Sequence, residues 1–371
     1  METQTLVLLT AVILPFGVAP FAPFIYRQLG EYVGYFAAVI ASISFALVGW
    51  LYVSGVEGVF SVTWIEVGTL GYNVSLSFLV DGFSLLMGLI ASGIGVLIMV
   101  YGRGYMHGEE RQGRFFAYLL AFMGSMLGVI FVENMVALFV FWELTSLTSF
   151  LLIGFYTDEE ASVYGARKSL IITVSGGLFM LVGFLLLHEM TGTFSIAQLL
   201  EGSAVAQSEL YLPILLLVVL GAATKSAQVP FHIWLPNAME APTPVSAFLH
   251  SATMVKAGVF LLGRFTPILG EGEEWILVVG SLGMMTMLVG ALLAVQASDI
   301  KELLAYSTVS HLGLITATFG FASKLGAEAG TFHILNHATF KAALFMVAGI
   351  VAHAVGTRKL SKMGGLRKKM P

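Results

Sequence analysis

The chain contains a series of apolar runs, each close to the length that an α-helix needs to cross a lipid bilayer. A spanning helix requires about 20 predominantly apolar residues. Runs of this length lie near residues 5–26, 32–53, 82–101, 114–132, 134–156, 168–187, 211–229, 244–264, 275–295, 302–321 and 328–352. They lack the strict alternation of membrane-barrel strands. The pattern predicts an all-α polytopic membrane protein with about eleven transmembrane helices.

The composition agrees with a membrane protein and narrows the chemistry that the chain can perform. Hydrophobic residues make up 57% of the sequence and charged residues 11%, whereas soluble domains carry about 25% charged residues. There is no cysteine, so this chain cannot supply thiolate ligands to zinc or to an iron–sulfur cluster. Glycine-rich nucleotide-binding motifs and the H-E-x-x-H zinc motif are also absent from the sequence. We expect no cofactor, no metal site and no nucleic-acid partner, and a lipid bilayer as the surroundings.

One stretch has the period of a strand instead of a helix. FSVTWIEV and YNVSLSFL alternate apolar and polar residues and are joined by GTLG at Gly68–Gly71. This pattern predicts a β-hairpin near residues 59–79, outside the membrane. Asp81 follows directly and, with Ser84 behind it, is typical of the N-cap of the third apolar run.

The positions of the basic residues predict an orientation. Cytoplasmic loops of membrane proteins carry an excess of Lys and Arg. If the N-terminus lies outside, the inner segments hold Arg27, Arg103, Arg111, Arg114, Arg167, Lys168, Lys301, Arg358, Lys359, Lys362, Arg367, Lys368 and Lys369, and the outer loops hold only Arg264 and Lys324. We therefore expect a multi-pass plasma-membrane protein with its N-terminus outside. Asp299, Lys301 and Glu302 are expected to form a solvated inner turn.

Four ionisable side chains fall near the middle of predicted spans: Glu143, Lys225, Lys256 and Lys341. Each such residue costs roughly 2.5–3.5 kcal/mol at the centre of a membrane helix. One interpretation is that they pair and hold helices together. The other is that they move protons, because burial lowers the proton affinity of a lysine and a nearby carboxylate raises it. Moving the partner would then switch the protonation state, which is the property that a proton relay requires.

The residues around Glu143 and Lys225 are suited to a polar site. Glu143 is followed in FWELTSLTSF by Thr145 and Ser146, whose hydroxyls can solvate a carboxylate or hold water. Lys225 precedes Pro230 by five residues, and proline interrupts the helical hydrogen-bond ladder. The sequence thus predicts a broken helix with free carbonyls near Lys225, as at many transporter ion sites, or simply the end of the span.

Histidine and lysine side chains continue this polar pattern toward the end of the chain. His250 and Lys256 differ by six residues, about 120° around a continuous helix, and would face different neighbours. His333, His337 and Lys341 have i, i+4, i+8 spacing, so they would share one face at about 6 Å intervals. His311, in the preceding predicted span, is either a hydrogen-bonded core histidine or a further relay member.

Four phrases resemble the antiporter-like membrane subunits shared by respiratory complex I and the Mrp cation/proton antiporters. They are WELTSLTSFLLIGF, TKSAQVPFHIWLPNAMEAPTPVSAFLHSATMVKAG, LLAYSTVS and FHILNHATFKAALF. RKSLIITVSGGLFMLVGFLLL, TGTFSI and KMGGLRKKMP favour the N-terminal, antiporter-like part of MrpA-type subunits over the related NuoL-type subunits. The resemblance implies a proton-translocating subunit of a Na⁺ (monovalent cation)/H⁺ antiporter, not an enzyme and without cofactor. Its implied partners are other Mrp-type subunits, with H⁺ and Na⁺ or K⁺ as the ions.

The resemblance also implies residue roles and an organisation. Glu143 matches the glutamate of the family's fifth helix and Lys225 the lysine of its broken seventh helix. His250 and Lys256 match positions of the eighth helix, and the relay groups of the eleventh are matched by His333, His337 and Lys341. Family members have inverted five-helix repeats, which places N-terminal helices at 1–110, a first repeat at 111–266 and a partial second repeat with a basic inner tail at 270–371.

The sequence departs from the family pattern in two ways. It ends after the eleventh span, whereas MrpA-type relatives continue, so we expect a fragment, a split gene product or a missing part on a separate chain. Position 311 carries His where relatives more often carry Gln. Two alternative functions stay open: a proton-pumping subunit of a complex I-like or membrane-bound hydrogenase redox complex, and a truncated subunit with a structural role.

Overall fold

The expected all-α membrane fold is confirmed. The computed structural model describes residues 3–67, 72–202, 205–368 and 370. Its α-helices are α1 (Thr3–Val18), α2 (Ala22–Leu29), α3 (Val33–Val53), α4 (Gly82–Tyr105), α5 (Gln112–Phe131), α6 (Met135–Ile153), α7 (Glu160–Thr191), α8 (Ile196–Leu200), α9 (Tyr211–Lys225), α10 (Thr243–Ser251), α11 (Met254–Leu269), α12 (Glu273–Trp275), α13 (Ser281–Gln296), α14 (Ile300–Gly320) and α15 (Lys324–Val355).

Helical structure occupies all eleven of the apolar runs. Within the described ranges, eight helical segments are long and apolar enough to cross a membrane, and the shorter apolar helix α9 adds to them. Three runs each contain two helices: α1 and α2 with a 3₁₀ turn at Ala19–Phe21 between them, α10 and α11, and α12 and α13 with a π-helical turn at Ile276–Gly280 between them. The chain is thus a multi-pass membrane protein, and the total of eleven crossings stays a prediction.

The strands β1 (Gly58–Val67) and β2 (Tyr72–Val80) pair antiparallel where the alternating pattern predicts a hairpin. The turn expected at Gly68–Gly71 lies outside the described residues. Directly after β2, the side chain of Asp81 accepts a hydrogen bond from the backbone N–H of Ser84, and Oγ of Ser84 accepts one from the N–H of Asp81. The predicted N-cap of α4 is confirmed.

Glycines let several helices pack closely against one another. Membrane helices associate largely through such van der Waals packing, because lipid is as apolar as their side chains. A Cβ at Gly313 of α14 would overlap the backbone of Met287 on α13. Another at Gly176 of α7 would overlap the side chain of Thr224 on α9. These approaches fix α9 against α7 and α14 against α13, and so position the ionisable residues on α9 and α14.

Two basic residues expected near loops are buried instead. Lys301 is 4% exposed, and its ammonium donates to the carbonyls of Met239 (3.0 Å) and Ala241 (2.8 Å), so the solvated turn expected there is wrong for Lys301. The α9–α10 connection folds over the start of α14, and its unpaired carbonyls require donors. Arg264 lies inside α11, 7% exposed, and pairs with Asp81.

Candidate functional site

The first part of the site is centred on Lys225, the last residue of α9. Its side chain is completely buried, and Nζ donates to the carbonyl of Trp142 (2.6 Å) and to Oγ of Ser146 (2.8 Å) on α6. The ammonium also lies 4.7 Å from the centre of the Trp142 ring. The chain then leaves the α-helical path for two 3₁₀ turns, Phe231–Trp234 and Asn237–Glu240, before α10. The helix therefore ends at a lysine in the protein interior.

Glu143 lies on the same stretch of α6 but does not pair directly with Lys225. Within the described chain the two side chains form no ion pair within 4.0 Å, and Oε1 of Glu143 is buried without a hydrogen-bond partner. That oxygen packs against α7, where a Cβ at Gly177 would overlap it. Thr145 does not solvate the carboxylate as expected, because its hydroxyl donates to the carbonyl of Trp142 (2.7 Å).

His250 and Lys256 lie on two helices, not on one continuous helix. α10 ends at Ser251 and α11 begins at Met254, and Thr253 between them has φ −133° and ψ −98°, outside the helical region. The expected 120° separation is therefore wrong. The break frees the carbonyl of Ser251, which accepts a hydrogen bond from Nζ of Lys256.

The second part of the site joins α11, α14 and α15. Nζ of Lys256 lies 2.6 Å from Nδ1 of His337, and both side chains are completely buried. Nδ1 of His311 lies 2.9 Å from Nε2 of His333, and the rings of His311 and His337 are 5.4 Å apart. Lys341 donates to Oγ of Ser307 on α14 (2.8 Å). The residues of the α15 ladder thus bond sideways to neighbouring helices and not to one another.

His250 lies between the two lysine clusters along the chain. It is fully buried, and both ring nitrogens lack a hydrogen-bond partner among the described residues. Its ring is 6.0 Å from that of Trp234, whose indole donates to the carbonyl of Thr224 beside Lys225 (2.9 Å). The residue after His250, Ser251, contacts Lys256. His250 is therefore connected to the Lys225 cluster through Trp234 and to the Lys256 cluster through Ser251.

This arrangement has the geometry that proton transfer requires. Proton transfer requires titratable groups within hydrogen-bond reach or one water apart. The contacts from Lys256 through His337, and from His333 through His311, meet the first condition. No group of three or more His, Cys, Asp or Glu side chains that could hold a metal ion occurs in the part of the chain that the structure describes.

Three residues of the site were not identified from the sequence: Trp234, Gly177 and Lys301. Trp234 lies in the proline-rich connection, and Gly177 resembles the many packing glycines of the apolar runs. A lysine next to an acidic helix cap is usually solvated, so Lys301 gave no signal. For Gly177, the pair of adjacent glycines in SGG was the one feature of the sequence that indicated a close approach of another helix to α7.

Sequence comparisons place these features in a known context. Residues 132–371 match the family described as NADH:quinone oxidoreductase/Mrp antiporter, TM. Residues 64–116 match the N-terminus of NADH-ubiquinone oxidoreductase (complex I) chain 5. The chain is 47% identical to the A subunit of the Na⁺/H⁺ antiporter of Alkalihalophilus pseudofirmus and 48% identical to the A/B subunit of the probable K⁺/H⁺ antiporter of Rhizobium meliloti. Both matches include 97% of this chain, but only 47% and 36% of those relatives.

Solved structures give the same picture. The Mrp complex from Dietzia sp. DQ12-45-1b contains a chain that matches 97% of this one with a TM-score of 0.88 and 37% identity, over 39% of the matched chain. An archaeal membrane-bound sulfane sulfur reductase matches 99% of this chain with a TM-score of 0.85 at 23% identity, over 75% of its own chain, and shows a shared fold.

Proposed function

This chain belongs to the NADH:quinone oxidoreductase/Mrp antiporter family of membrane proteins, and on that premise we propose that it translocates protons within a multi-subunit monovalent cation/proton antiporter. The resemblance to MrpA-type subunits is confirmed by 47% identity to the A subunit of a Na⁺/H⁺ antiporter. Because the chain spans about half the length of that relative, the activity of the whole antiporter is a proposal for this chain.

The contact between Lys256 and His337 carries the proposal. Both groups are titratable, fully buried and on different helices. A pair with a purely structural role would be more stable if its two members had opposite charges. Two groups that are both cationic when protonated hold one charge between them and can exchange it. The pair therefore has the chemistry of a relay and not of a structural salt bridge.

We propose an order of steps that the positions of these groups support. In the proposed mechanism Glu143 adjusts the charge of Lys225, and Lys225 exchanges protons with His250. From there the proton moves to Lys256 and His337, and then to the α14–α15 cluster of His311, His333 and Lys341. Ser146 holds the Lys225 ammonium in place. Thr145 has no part in this mechanism, because its hydroxyl is bonded to its own helix.

The finer features of the proposal concern ions, partners and orientation. The named relatives are Na⁺/H⁺ and K⁺/H⁺ antiporter subunits, so we propose that further membrane subunits supply the cation path and that this chain supplies the proton path. We also propose that it lies in the plasma membrane with its N-terminus outside. The excess of Lys and Arg in the segments that would then lie inside supports that orientation.

Replacing Lys225 tests the function. In inverted membrane vesicles that contain the assembled complex, Lys225→Ala should abolish Na⁺ and K⁺ exchange driven by a pH gradient. Lys324→Ala is the matched control, because the side chain of Lys324 is 92% exposed and its ion pair with Glu328 is long, at 4.0 Å. Unchanged exchange in Lys225→Ala with intact assembly would overturn the proposal.

The alternative is a pump subunit of a redox complex, which the description of the matched family also names. Purification of the native assembly separates the two. Small hydrophobic partners alone support the antiporter, and co-purifying iron–sulfur or nickel subunits support the redox complex. The structural alternative predicts that Lys225→Ala leaves transport intact.

A further inference from the structure

The last turn of α4 carries a cation, Arg103, that has no charged partner in this chain. Its Nε is buried and has no hydrogen-bond partner among the described residues. No carboxylate of the part of the chain that the structure describes lies within 4.0 Å of its guanidinium. Glu31, on the connection between α2 and α3, bonds instead to Nδ1 of His107 (2.7 Å) and to the backbone N–H of Gly108 (3.3 Å). A guanidinium has several N–H donors and no acceptor, so Arg103 can still bind an anion from outside the chain.

Two tyrosine rings hold the side chain of Arg103. Its Cζ lies 4.6 Å from the ring centre of Tyr35, in the first turn of α3, and 5.5 Å from that of Tyr32, just before α3. A Cβ at Gly34 would lie 2.6 Å from Cβ of Arg103, so the glycine lets α3 and α4 approach each other here. A guanidinium that lies over aromatic rings keeps its N–H groups available at the edges of its plane. The rings therefore position a fork of donors.

The same rings place the cation at the surface of the membrane. Tyr32 and Tyr35 are both exposed, and tyrosine is enriched at the level of the lipid head groups. This end of α4 is one that the distribution of basic residues predicts to lie inside. A basic residue at the inner end of a span often serves only as a signal for orientation. Arg103 instead lies over two rings with Nε buried, and this favours a bound anion over a role in orientation alone.

An exposed apolar surface leads from Arg103 toward the middle of the membrane. Val39 and Ile43 follow Tyr35 at intervals of four residues on α3, and all three are exposed, so they form one stripe. On α4, Val100 lies one turn before Arg103 and is also exposed. A phosphate with attached hydrocarbon chains matches a fork of donors followed by an apolar stripe. A free phosphate would leave the stripe unused, so the surface favours a lipid.

We propose that Arg103, Tyr32 and Tyr35 bind the phosphodiester head group of an anionic phospholipid, with an acyl chain along Val39. The guanidinium donates hydrogen bonds to the phosphodiester oxygens, and the rings hold it in the orientation that this contact needs. Arg27, five residues before Tyr32, adds a second positive charge to this corner, so the local charge favours a lipid with a net negative charge. The site does not depend on the proton relay.

Photo-cross-linking tests the site without measuring transport. The assembled complex is reconstituted in phosphatidylcholine vesicles that contain a trace of phosphatidylglycerol with a diazirine in its acyl chain, and cross-linked peptides are identified by mass spectrometry. At the peptide that contains Val39, this probe should give about ten times the yield of an equal amount of phosphatidylcholine probe, because hydrogen bonds to charged groups produce differences of this size. An excess of inorganic phosphate should leave the cross-links in place. Displacement by inorganic phosphate would assign the site to a free anion and overturn the lipid.

Replacing Arg103 separates the site from general attraction to basic helix ends. Arg103→Gln should lower the phosphatidylglycerol yield at Val39 to that of the phosphatidylcholine probe. Arg114→Gln is the matched control, because it removes the same charge from the same end of the bundle. Arg114 is exposed, and its Cζ lies 5.9 Å from a single ring, that of Tyr118, so this variant should keep the wild-type yield.

A second variant retains the charge and removes one ring. Tyr35→Leu keeps an apolar side chain at an exposed position, where the fold tolerates the change, and should lower the phosphatidylglycerol yield several-fold because Arg103 loses its closer ring. Equal yields from the two probes in the wild-type complex would overturn the proposal. An unchanged phosphatidylglycerol yield in assembled Arg103→Gln complex would do the same.

Discussion

Nζ of Lys256 lies 2.6 Å from Nδ1 of His337, at a point where neither side chain reaches solvent. Nδ1 can accept a hydrogen bond from an ammonium only while it carries no proton. The contact is therefore compatible with a charged lysine beside a neutral histidine, and a proton on both nitrogens would drive them apart. In the proposed relay, an arriving proton would displace the one already present, and a neighbouring group would accept the displaced proton.

Replacing His337 by Gln tests this exchange. The amide can still hydrogen-bond to Lys256 but cannot bind and release a proton, so exchange driven by a pH gradient should fall by about 100-fold or more. His107→Gln is the control, since the side chain of His107 is 77% exposed and bonds to Glu31. Vesicle exchange measured at equal amounts of assembled complex is the readout. Wild-type exchange in His337→Gln would show that the contact is structural.

Gly177→Ala tests whether the position of the Glu143 carboxylate matters. The added methyl would overlap Oε1 of Glu143, and the carboxylate must move away from its place against α7. We expect a loss of exchange with little loss of assembly. Gly49→Ala is the control, because it lies within α3 with no atom within 4 Å of the added Cβ, and should stabilise the helix by about 0.5–1 kcal/mol. Equal exchange in both variants would contradict a role for Glu143.

The helices could be predicted from the sequence because hydropathy and run length are local properties. The break between α10 and α11 could not be, since neither Ala252 nor Thr253 is a proline or glycine. At the break, Nζ of Lys256 bonds back to the carbonyl of Ser251 and the hydroxyl of Thr253 donates to the carbonyl of Phe248 (2.7 Å), so side chains bond to carbonyls near the end of α10. Long apolar runs therefore predict crossings well and internal breaks poorly.

The same limit applies to the site. The spacing predicts one helix face for His333, His337 and Lys341; all three lie on α15, where His337 and Lys341 are buried and His333 is half-buried. It could not show which groups they meet, because contacts such as that of His311 with His333 depend on how two helices are aligned in space. The inverted repeats and the roles of the individual residues remain predictions.

Arg358→Met should destabilise the connection before α10. The variant lacks the ion pairs of Arg358 with Glu240 and Asp299. The side chains of these two carboxylates are about one-third and one-quarter exposed, so the free energy of unfolding should fall by about 1 kcal/mol. Burial alone would lower the pKa of Arg358, but hydrogen bonds and the charges of Glu240 and Asp299 outweigh it and raise that pKa above its ordinary value. A raised pKa stabilises the folded state at every pH below the ordinary value, and this stabilisation is lost only as pH rises beyond it.

The destabilisation in Arg358→Met is expected near neutral pH, well below the raised pKa of the guanidinium. The measurement is the free energy of unfolding in mixed detergent micelles. Lys324→Met removes an exposed pair and should leave stability unchanged. A loss no larger in Arg358→Met than in Lys324→Met would contradict a stabilising role for these ion pairs.

Asp81 offers a graded test of the opposite end of the bundle. It caps α4 through Ser84 and pairs with Arg264, whose side chain is 8% exposed. Asp81→Asn keeps an oxygen for the cap but removes the charge, and should cost about 1–2 kcal/mol, because the Arg264 cation loses its counter-charge. Asp81→Ala removes both and should cost about 2–3 kcal/mol.

Asp158→Asn is the control. It changes an 88% exposed partner of Arg111 at 3.5 Å and should cost less than about 0.5 kcal/mol. The readout is again the free energy of unfolding in mixed micelles. Equal losses in Asp81→Asn and Asp81→Ala would assign the whole effect to the ion pair, and a negligible loss in Asp81→Asn would assign it to the cap, because only the charge separates the two contributions.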